Sequence, residues 1–228
     1  MSTSRAPERR SSPRGVENRE RILDAAERLM AERGIDGPSL NEINTAAGQR
    51  NTAALHYHFG RRDGLVRAIL QRHGRPLQER HDALYAELAR TGRLRDVRGL
   101  VEVIVLPVAE YLALGPSQRA GIRVWAATLD QPELAIEEIQ TLVDPALTRV
   151  SRTLLEIMAH DMPRDLAVER LVSMVRGALY ILADRAALED APAARRPVLA
   201  LPLVAANLVD MVSAALVAPV GEPARRLL

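Results

Sequence analysis

Residues 39–59, SLNEINTAAGQRNTAALHYHF, contain two short helical segments separated by a glycine. Ser39 stands directly before an apolar segment, and Glu42 follows three positions later. A serine and a glutamate at this spacing form a capping box, in which each side chain bonds the other residue's backbone N–H. The pattern predicts a helix over 40–47 that Gly48 ends, because glycine readily takes the left-handed backbone conformation of a helix end.

A second short helix is predicted over 51–57, and Gly60 closes it. Two short helices joined by a turn form a helix-turn-helix, whose first helix crosses the phosphate backbone of DNA and whose second helix enters the major groove. The groove-facing surface needs hydrogen-bonding groups with little bulk. We expect DNA contacts from Ser39, Gln49, Arg50, Asn51, Thr52, Ala53, His56 and Tyr57.

These residues differ in the contacts that their chemistry allows. Arg50 can pair bidentately with guanine or bind a phosphate, and Asn51, like Gln49, can pair with adenine. Thr52 and its neighbour Ala53 can approach a thymine methyl group. His56 and Tyr57, one turn later, can meet phosphates, as can the helix start at Ser39.

The flanking sequence predicts an all-α chain. Ile22, Ala26, Leu29 and Met30 form one helical stripe in a helix that begins at Asn18. A long helix is predicted from Asp63 to about Arg90, with a kink near 71–75, where Gly74 and Pro76 interrupt it. Later helices are predicted at about 94–114, 117–129, 133–160, 164–188 and 196–217.

The predicted organisation has three parts. Residues 1–17 are rich in Ser, Pro and Arg and are expected to form a disordered basic arm. The arm either enters a minor groove of DNA or has no role. A three-helix helix-turn-helix domain follows over 18–68, and a larger helical domain for ligand binding and dimerisation occupies 69–228.

Composition excludes several classes of protein. The chain has no cysteine, which excludes disulfides and thiolate metal sites and fits a reducing cytoplasmic location. Residues 1–75 carry a net charge of +5 and residues 76–228 a net charge of −3, so the basic part of the chain suits a polyanionic partner. The apolar segment 198–220 contains Pro202 and Asp210, so we expect a buried helix there and no membrane span.

No catalytic or metal-binding motif occurs. His56 and His58 carry no carboxylate at ligand spacing, and His73 and His81 lie eight residues apart on an interrupted helix, a pattern more typical of a solvated face than of a metal pair. The sequence has no phosphate-binding glycine loop and no nucleophile elbow. We therefore expect neither an enzyme nor a cofactor. The competing class is a helical dimer that binds a protein partner without binding DNA.

The dispersed pattern over about 18–68 resembles the DNA-binding domain of the TetR family of transcriptional regulators. The residues that carry it are Arg21-Ile22-Leu23-Asp24-Ala25-Ala26, Leu29-Met30, Gly34, Ser39-Leu40, Ile43, Ala47-Gly48, Leu55-His56-Tyr57-His58-Phe59 and Leu65. Ten residues separate Gly48 from Phe59, one more than is usual in the family. Arg61-Arg62 replaces the family's usual Ser-Lys. This implies that Arg62 contacts a phosphate and that the next helix lacks a good N-cap.

The resemblance also implies a homodimer that binds a palindromic DNA operator, represses transcription and is released by an unidentified small-molecule effector. The last two long helices would form the dimer interface, and the scarce large or polar residues of the rear helices would contact the effector. The expected interface residues are Leu171, Met174, Val175, Leu179, Leu208, Met211, Val212 and Leu216. The expected effector contacts are Tyr111, Arg123, Trp125, Met158, Met174 and Tyr180.

Overall fold

The computed structural model describes residues 13–49, 53–130, 144–190 and 199–227, and every element of secondary structure assigned within these ranges is a helix. The prediction of an all-α fold is therefore confirmed. The helices are α1 (Pro13–Arg33), α2 (Leu40–Ala46), α3 (Ala53–Phe59), α4 (Arg62–Arg90), α5 (Val97–Leu112), α6 (Pro116–Thr128), α7 (Pro145–Met158), α8 (Arg164–Asp190), α9 (Leu201–Val217) and α10 (Glu222–Arg225).

The front of the molecule is an apolar cluster shared by α1, α2, α3 and the first turns of α4. Ile22 and Met30 of α1, Ile43 of α2, Leu55 of α3 and Ile69 of α4 are all buried in it. The helical stripe that the sequence predicts in α1 is thus the face that packs on this core. Each such side chain contributes about 1.5–3 kcal/mol on burial, so the cluster fixes α2 and α3 against α1.

The predicted ends of α2 and α3 are also present. The Ser39 hydroxyl accepts a hydrogen bond from the backbone N–H of Glu42 at 3.2 Å, and the Glu42 carboxylate accepts one from the N–H of Ser39 at 2.8 Å. Gly48 and Gly60 have φ values of 71° and 70°, where a side chain would be strained. The capping box and both predicted stops are confirmed.

The first helix begins earlier than the sequence indicated. The prediction of a disordered arm over 1–17 is wrong for its last residues, because α1 starts at Pro13. Proline suits the first position of a helix, and the i,i+4 ion pair of Glu17 with Arg21, at 2.6 Å, supports the polar first turns. The rest of the arm, 1–12, lies outside the described residues.

The long helix α4 connects the front of the molecule to the rear. It starts at Arg62, contributes to the front core as far as Leu70, and joins the rear core from Leu77 onward. It stays helical through Gly74 and Pro76, although proline has no N–H to donate to the preceding turn. The predicted kink and the predicted domain boundaries stay predictions.

The rear of the molecule is a second apolar cluster surrounded by α5 to α9, with the end of α4. The predicted helices occur here with ends shifted by a few residues. The segments 131–143 and 191–198, in which two of the predicted helices begin, lie outside the described residues. Within the described ranges, no helix has both the length and the apolar character that a membrane span needs.

Candidate functional site

The turn between α2 and α3 is held by a buried polar residue. Asn44 is only 4% exposed, and its side-chain amide donates to the carbonyl of Gln49 at 3.2 Å. The carbonyl of Asn44 accepts from the N–H of Gln49 at 3.0 Å. Sequence reasoning missed Asn44 because it lies inside α2, where asparagine is not favoured; its position four residues before the turn glycine is the only signal that points to it.

Helix α3 has one face in the core and one face in solvent. Leu55 and Phe59 anchor it to the front cluster, which leaves Ala53, His56 and Tyr57 exposed on the outer side. Tyr57 is 75% exposed, an unusual state for a large aromatic side chain. The structure thus presents these three predicted residues on one helix, whereas Arg50, Asn51 and Thr52 lie outside the described residues.

The exposed His56 also has a defined orientation. Its Nδ1–H donates to the carbonyl of Gly60 at 2.8 Å, which holds the ring at the end of α3. The other ring nitrogen is therefore the one available to an outside partner.

Two further predicted residues are engaged within the protein. Gln49 is half-buried and donates from Nε2 to the Asn18 side chain at 3.3 Å, so it ties the turn to α1. Ser39 is exposed, but its oxygen already accepts the capping bond from Glu42. The backbone and side-chain hydrogen bonds from Ser39, followed by the contact with Arg33, lower the pKa of Glu42, so its carboxylate stays charged and holds the cap.

Arg62 occupies a different position from the one that the resemblance implies. Its guanidinium donates to the carbonyls of Ile35 and Pro38, at 2.5 and 2.8 Å, and lies 3.7 Å from Asp36. These contacts turn Arg62 toward the α1–α2 loop and leave its side chain only 24% exposed. We therefore assign Arg62 to bracing this loop. The neighbouring Arg61 is exposed and makes no side-chain cap bond at α4, as the sequence predicts.

A buried polar cluster joins the front of the molecule to the rear. Glu27 of α1 is 3% exposed and accepts hydrogen bonds from His73 of α4 at 2.7 Å and from Ser117 of α6 at 2.6 Å. The second ring nitrogen of His73 lies 2.9 Å from the hydroxyl of Tyr111 in α5. Four helices therefore meet at one imidazole ring, which we call the junction.

Charges around the junction keep Glu27 ionised. Burial opposes its charge, but hydrogen bonds from His73 and Ser117, with the charges of His73 and Arg72, lower the pKa of Glu27 below its usual value. Arg72 also reaches Asp24 at 2.6 Å and Glu20 at 2.5 Å, so one arginine of α4 holds three carboxylates of α1. At Tyr111, burial and the charge of Glu27 raise the pKa of the phenol.

The rear helices line a partly open cavity of about 950 Å³, within the range of small-molecule sites. Its walls are mainly apolar and come from the middle of α4 and from α5, α6, α7 and α8. Trp125 of α6 is in the wall, as the sequence analysis expected. The other five expected effector contacts do not line the described part of this cavity.

Those five residues have other roles. Tyr111 belongs to the junction, Met158 is 2% exposed inside the rear core, and the Tyr180 hydroxyl bonds the carboxylate of Asp130. Met174 packs half-buried against the same core, and Arg123 borders a separate groove between α1 and α6. We selected these residues because large or polar side chains are scarce in the rear helices. That criterion does not show in which direction each side chain points.

The cavity has a polar corner that the sequence analysis did not select. His81 of α4 is 4% exposed, and its Nδ1 lies 2.5 Å from the carboxylate of Asp144. Asp144 also caps α7 by accepting from the N–H groups of Ala146 and Leu147. Burial opposes the charge of Asp144, yet the contact with His81 and the two amides lower the pKa of Asp144.

The expected dimer residues lie mostly inside the chain's own core. Leu171, Leu208, Val212 and Leu216 are at most 5% exposed, Val175 and Leu179 line the cavity, and Met174 is half-buried. Among the predicted set, Met211 alone is exposed, at 55%. The predicted stripes on α8 and α9 are thus mostly the faces that pack inward.

A different face of α9 is exposed and mainly apolar, although it also carries Asn207 and Asp210. Leu203, Met211 and Val217 are each at least half exposed, and the exposed Ala206 and Ala214 lie between them at helical spacing. These five residues, which we call the α9 outer face, have no cover in the described chain. Exposed apolar faces of this kind mark association surfaces.

Comparisons with known proteins agree with this geometry. Residues 22–69 match the family described as "Bacterial regulatory proteins, tetR family". The chain is 32% identical over 111 residues to the probable HTH-type transcriptional regulator ArpR of Pseudomonas putida, and equally to the HTH-type transcriptional regulator TtgR from a strain of the same species. Each match covers 49% of this chain and about half the length of the curated relative.

A solved structure extends the likeness in fold. NalD of Pseudomonas aeruginosa, the secondary repressor of the MexAB-OprM multidrug efflux pump, superposes with a TM-score of 0.55 at 20% identity, over 88% of this chain and 96% of NalD. The relatives are named as regulators, which agrees with the expectation that the chain is not an enzyme. Residues 22–69 of this chain are therefore similar to the tetR family of bacterial regulatory proteins, and the likeness to NalD extends this similarity to the fold of the molecule.

Proposed function

We propose that this chain is a transcriptional regulator that binds an operator as a homodimer through α3 and is released by a small molecule in the rear cavity. The observation that carries the proposal is the outer face of α3. Ala53, His56 and Tyr57 are exposed on a helix that Leu55 and Phe59 fix to the core. A rigid helix with a free polar and aromatic face fits the major groove.

The residues before α3 supply the base-reading chemistry. Arg50, Asn51 and Thr52 precede the helix directly and complete the donor and acceptor set. Gln49 and Arg62, which bond within the protein, are not part of the proposed contact surface. Ser39, at the start of α2, can still donate its hydroxyl proton to a phosphate.

DNA binding is tested with labelled DNA that flanks the chain's own gene, by fluorescence anisotropy at several salt concentrations. We expect binding that weakens steeply with salt, because each phosphate contact releases counterions. If no DNA is bound at low salt, the proposal is wrong and a regulator of a protein partner becomes the better interpretation.

Arg50→Ala tests base readout in the same assay. If Arg50 pairs with a base, the change costs about 1–3 kcal/mol of binding and relaxes specificity at one position. Arg90→Ala is the matched control, since Arg90 is exposed at the far end of α4 and pairs only with Glu87 in the described contacts. Equal weakening on every sequence would make Arg50 a phosphate contact instead.

Two features support the homodimer and the release mechanism. The α9 outer face is suited to a second copy, because it is mainly apolar and exposed. Helix α4 lines the cavity at Gln71 and Gly74 and carries His73 of the junction between them. A ligand that prefers one position of α4 therefore shifts the equilibrium between positions of the front helices α1 to α3.

Release requires a large preference of the ligand for one state. Moving an equilibrium from 1:99 to 99:1 takes about a 10⁴-fold difference in affinity. Compounds that alter the emission of Trp125 are tested for their effect on operator affinity. A compound that binds the cavity tightly and leaves operator affinity unchanged contradicts the release mechanism.

A further inference from the structure

The chemistry of the cavity wall says what kind of molecule it accepts, if the cavity is the effector site of the proposed function. Most of the wall is hydrocarbon from residues such as Ile104, Val108 and Leu179. A volume of about 950 Å³ is at the upper end of the range for small-molecule sites. A suitable ligand therefore has a large apolar body.

His81 is the exception in this wall. Its Nδ1 is bonded to Asp144, which leaves Nε2 on the opposite side of the ring. Nε2 is buried and has no hydrogen-bond partner among the described residues. A buried imidazole nitrogen without a partner is unfavourable, and the cavity is the open space that adjoins this ring.

Two other hydroxyl groups of the wall already have hydrogen-bond partners. The buried hydroxyl of Thr128 donates to the carbonyl of Trp125 at 2.7 Å, and the exposed hydroxyl of Thr148 donates to the carbonyl of Asp144 at 3.1 Å. Among the described residues that line the cavity, His81 alone carries a buried side-chain nitrogen or oxygen without a partner.

We propose that the cavity binds a mainly apolar compound with a hydroxyl group, and that this hydroxyl hydrogen-bonds Nε2 of His81. A hydroxyl both donates and accepts, so it matches Nε2 whether the ring is neutral or protonated. Asp144 acts as a positioning residue, because its carboxylate accepts from Nδ1 and thereby sets the orientation of the ring.

The test compares two probes that differ only in this group, dicyclohexylmethanol and dicyclohexylmethane. Neither absorbs where tryptophan is excited, and Trp125, the only tryptophan of the chain, lies in the cavity wall. Binding is followed by the change in Trp125 emission. In a purely apolar cavity the hydrocarbon binds more tightly, because the alcohol loses its hydrogen bonds to water.

We expect the opposite order in the natural protein, with the alcohol bound about tenfold more tightly, a difference of about 1.4 kcal/mol. His81→Phe keeps a ring of similar size but removes the nitrogen, so the hydrocarbon should then bind more tightly than the alcohol. Hydrocarbon binding also reports that the variant is folded. His81→Gln, which keeps a polar group, should retain part of the preference for the alcohol.

Ser151→Ala is the matched control, because Ser151 is another polar residue of the wall and lies on α7. If the preference for the alcohol survives in His81→Phe, the proposed anchor is wrong, and its loss in Ser151→Ala would assign the contact to Ser151 instead. Equal binding of both probes to the natural protein also overturns the proposal and leaves the cavity as an effector site. If neither probe binds, the effector cavity of the proposed function fails as well.

Discussion

Gly121→Ala should disrupt the junction, because Gly121 of α6 lies directly against the ring of His73. A Cβ atom at Gly121 would lie 2.3 Å from Cδ2 and 2.4 Å from Nε2 of that ring. These distances are far inside van der Waals contact, so the ring has to move. His73 then loses its alignment with Glu27 and Tyr111, which it contacts at 2.7 and 2.9 Å.

The magnitude follows from two effects. Overpacking a core by one methyl group costs about 1–3 kcal/mol. Leaving the buried carboxylate of Glu27 with a weakened hydrogen bond adds about 1–3 kcal/mol. Against this, alanine favours a helix by about 1 kcal/mol over glycine. We expect the free energy of unfolding to fall by about 1–5 kcal/mol, measured by urea denaturation at one protein concentration.

Gly177→Ala is the matched control. Gly177 lies in α8, and a Cβ atom there meets nothing within 4 Å. The same substitution should therefore stabilise the protein slightly, by up to about 1 kcal/mol. The double variant with His73→Ala isolates the contact, since removing the ring makes room for the methyl group. If Gly121→Ala costs as much with His73→Ala as without it, the ring contact is not the cause and our reasoning is refuted.

Three further predictions concern the head, the junction and the dimer. Arg62→Ala should lower the thermal stability of the protein while leaving the salt dependence of operator binding unchanged, because Arg62 braces the loop at Ile35 and Pro38; a smaller salt slope at full stability would make it a phosphate contact. Glu27→Gln should lower stability at neutral pH. The pKa of Glu27 is lowered in the folded state, so its stabilisation is present above the unfolded value of 4.5 and disappears as the pH falls through the folded value; urea denaturation between pH 7 and pH 3 should show the variant converging on the natural protein, and a constant difference contradicts the assignment. Leu203→Glu combined with Met211→Glu should yield monomers in sedimentation velocity, whereas Val16→Glu, at a 48% exposed position of α1, should leave the dimer intact.

The sequence predicted the helix ends and buried faces at the front of the molecule better than it predicted the exposed faces of the rear helices. Ser39, Glu42 and Gly48 act locally, through bonds and backbone angles within a few residues, so their spacing alone specifies the start and end of α2. Apolar periodicity likewise identified the buried face of α1. The partners of Arg62 at Ile35 and Pro38 could not be predicted, because they are far away along the chain.

The rear helices show why periodicity alone cannot assign an interface. Helix α9 is apolar on two sides, so the stripe containing Leu208 and the stripe containing Leu203 look equally suitable in the sequence. Only packing against α5 and α8 distinguishes them, and it buries Leu208 to 2% while Leu203 stays 56% exposed. Five of the expected effector contacts lie away from the described part of the cavity for the same reason, since a helical position does not reveal which neighbour its side chain faces.

The position of the junction gives the release mechanism a physical route. On α4, Gln71 and Gly74 line the cavity, and His73 between them faces Glu27 of the head. The same turns of α4 therefore contact both the proposed ligand and α1. Helix α6 likewise contacts both the cavity and the junction.

On α6, Ile122 and Trp125 line the cavity, whereas Gly121 packs on the ring of His73. A ligand that separates α4 from α6 must either carry the ring of His73 with it or open the contact at Gly121. Both movements strain the hydrogen bond from His73 to Glu27, and weakening a hydrogen bond to a buried carboxylate makes the strained state costly. The front helices α1 to α3 are therefore expected to move together with α4. Variants that weaken the junction should bind the ligand without releasing the operator fully. Operator affinity of Glu27→Gln, measured with saturating dicyclohexylmethanol, tests this coupling: release as complete as in the natural protein would show that the signal takes another route.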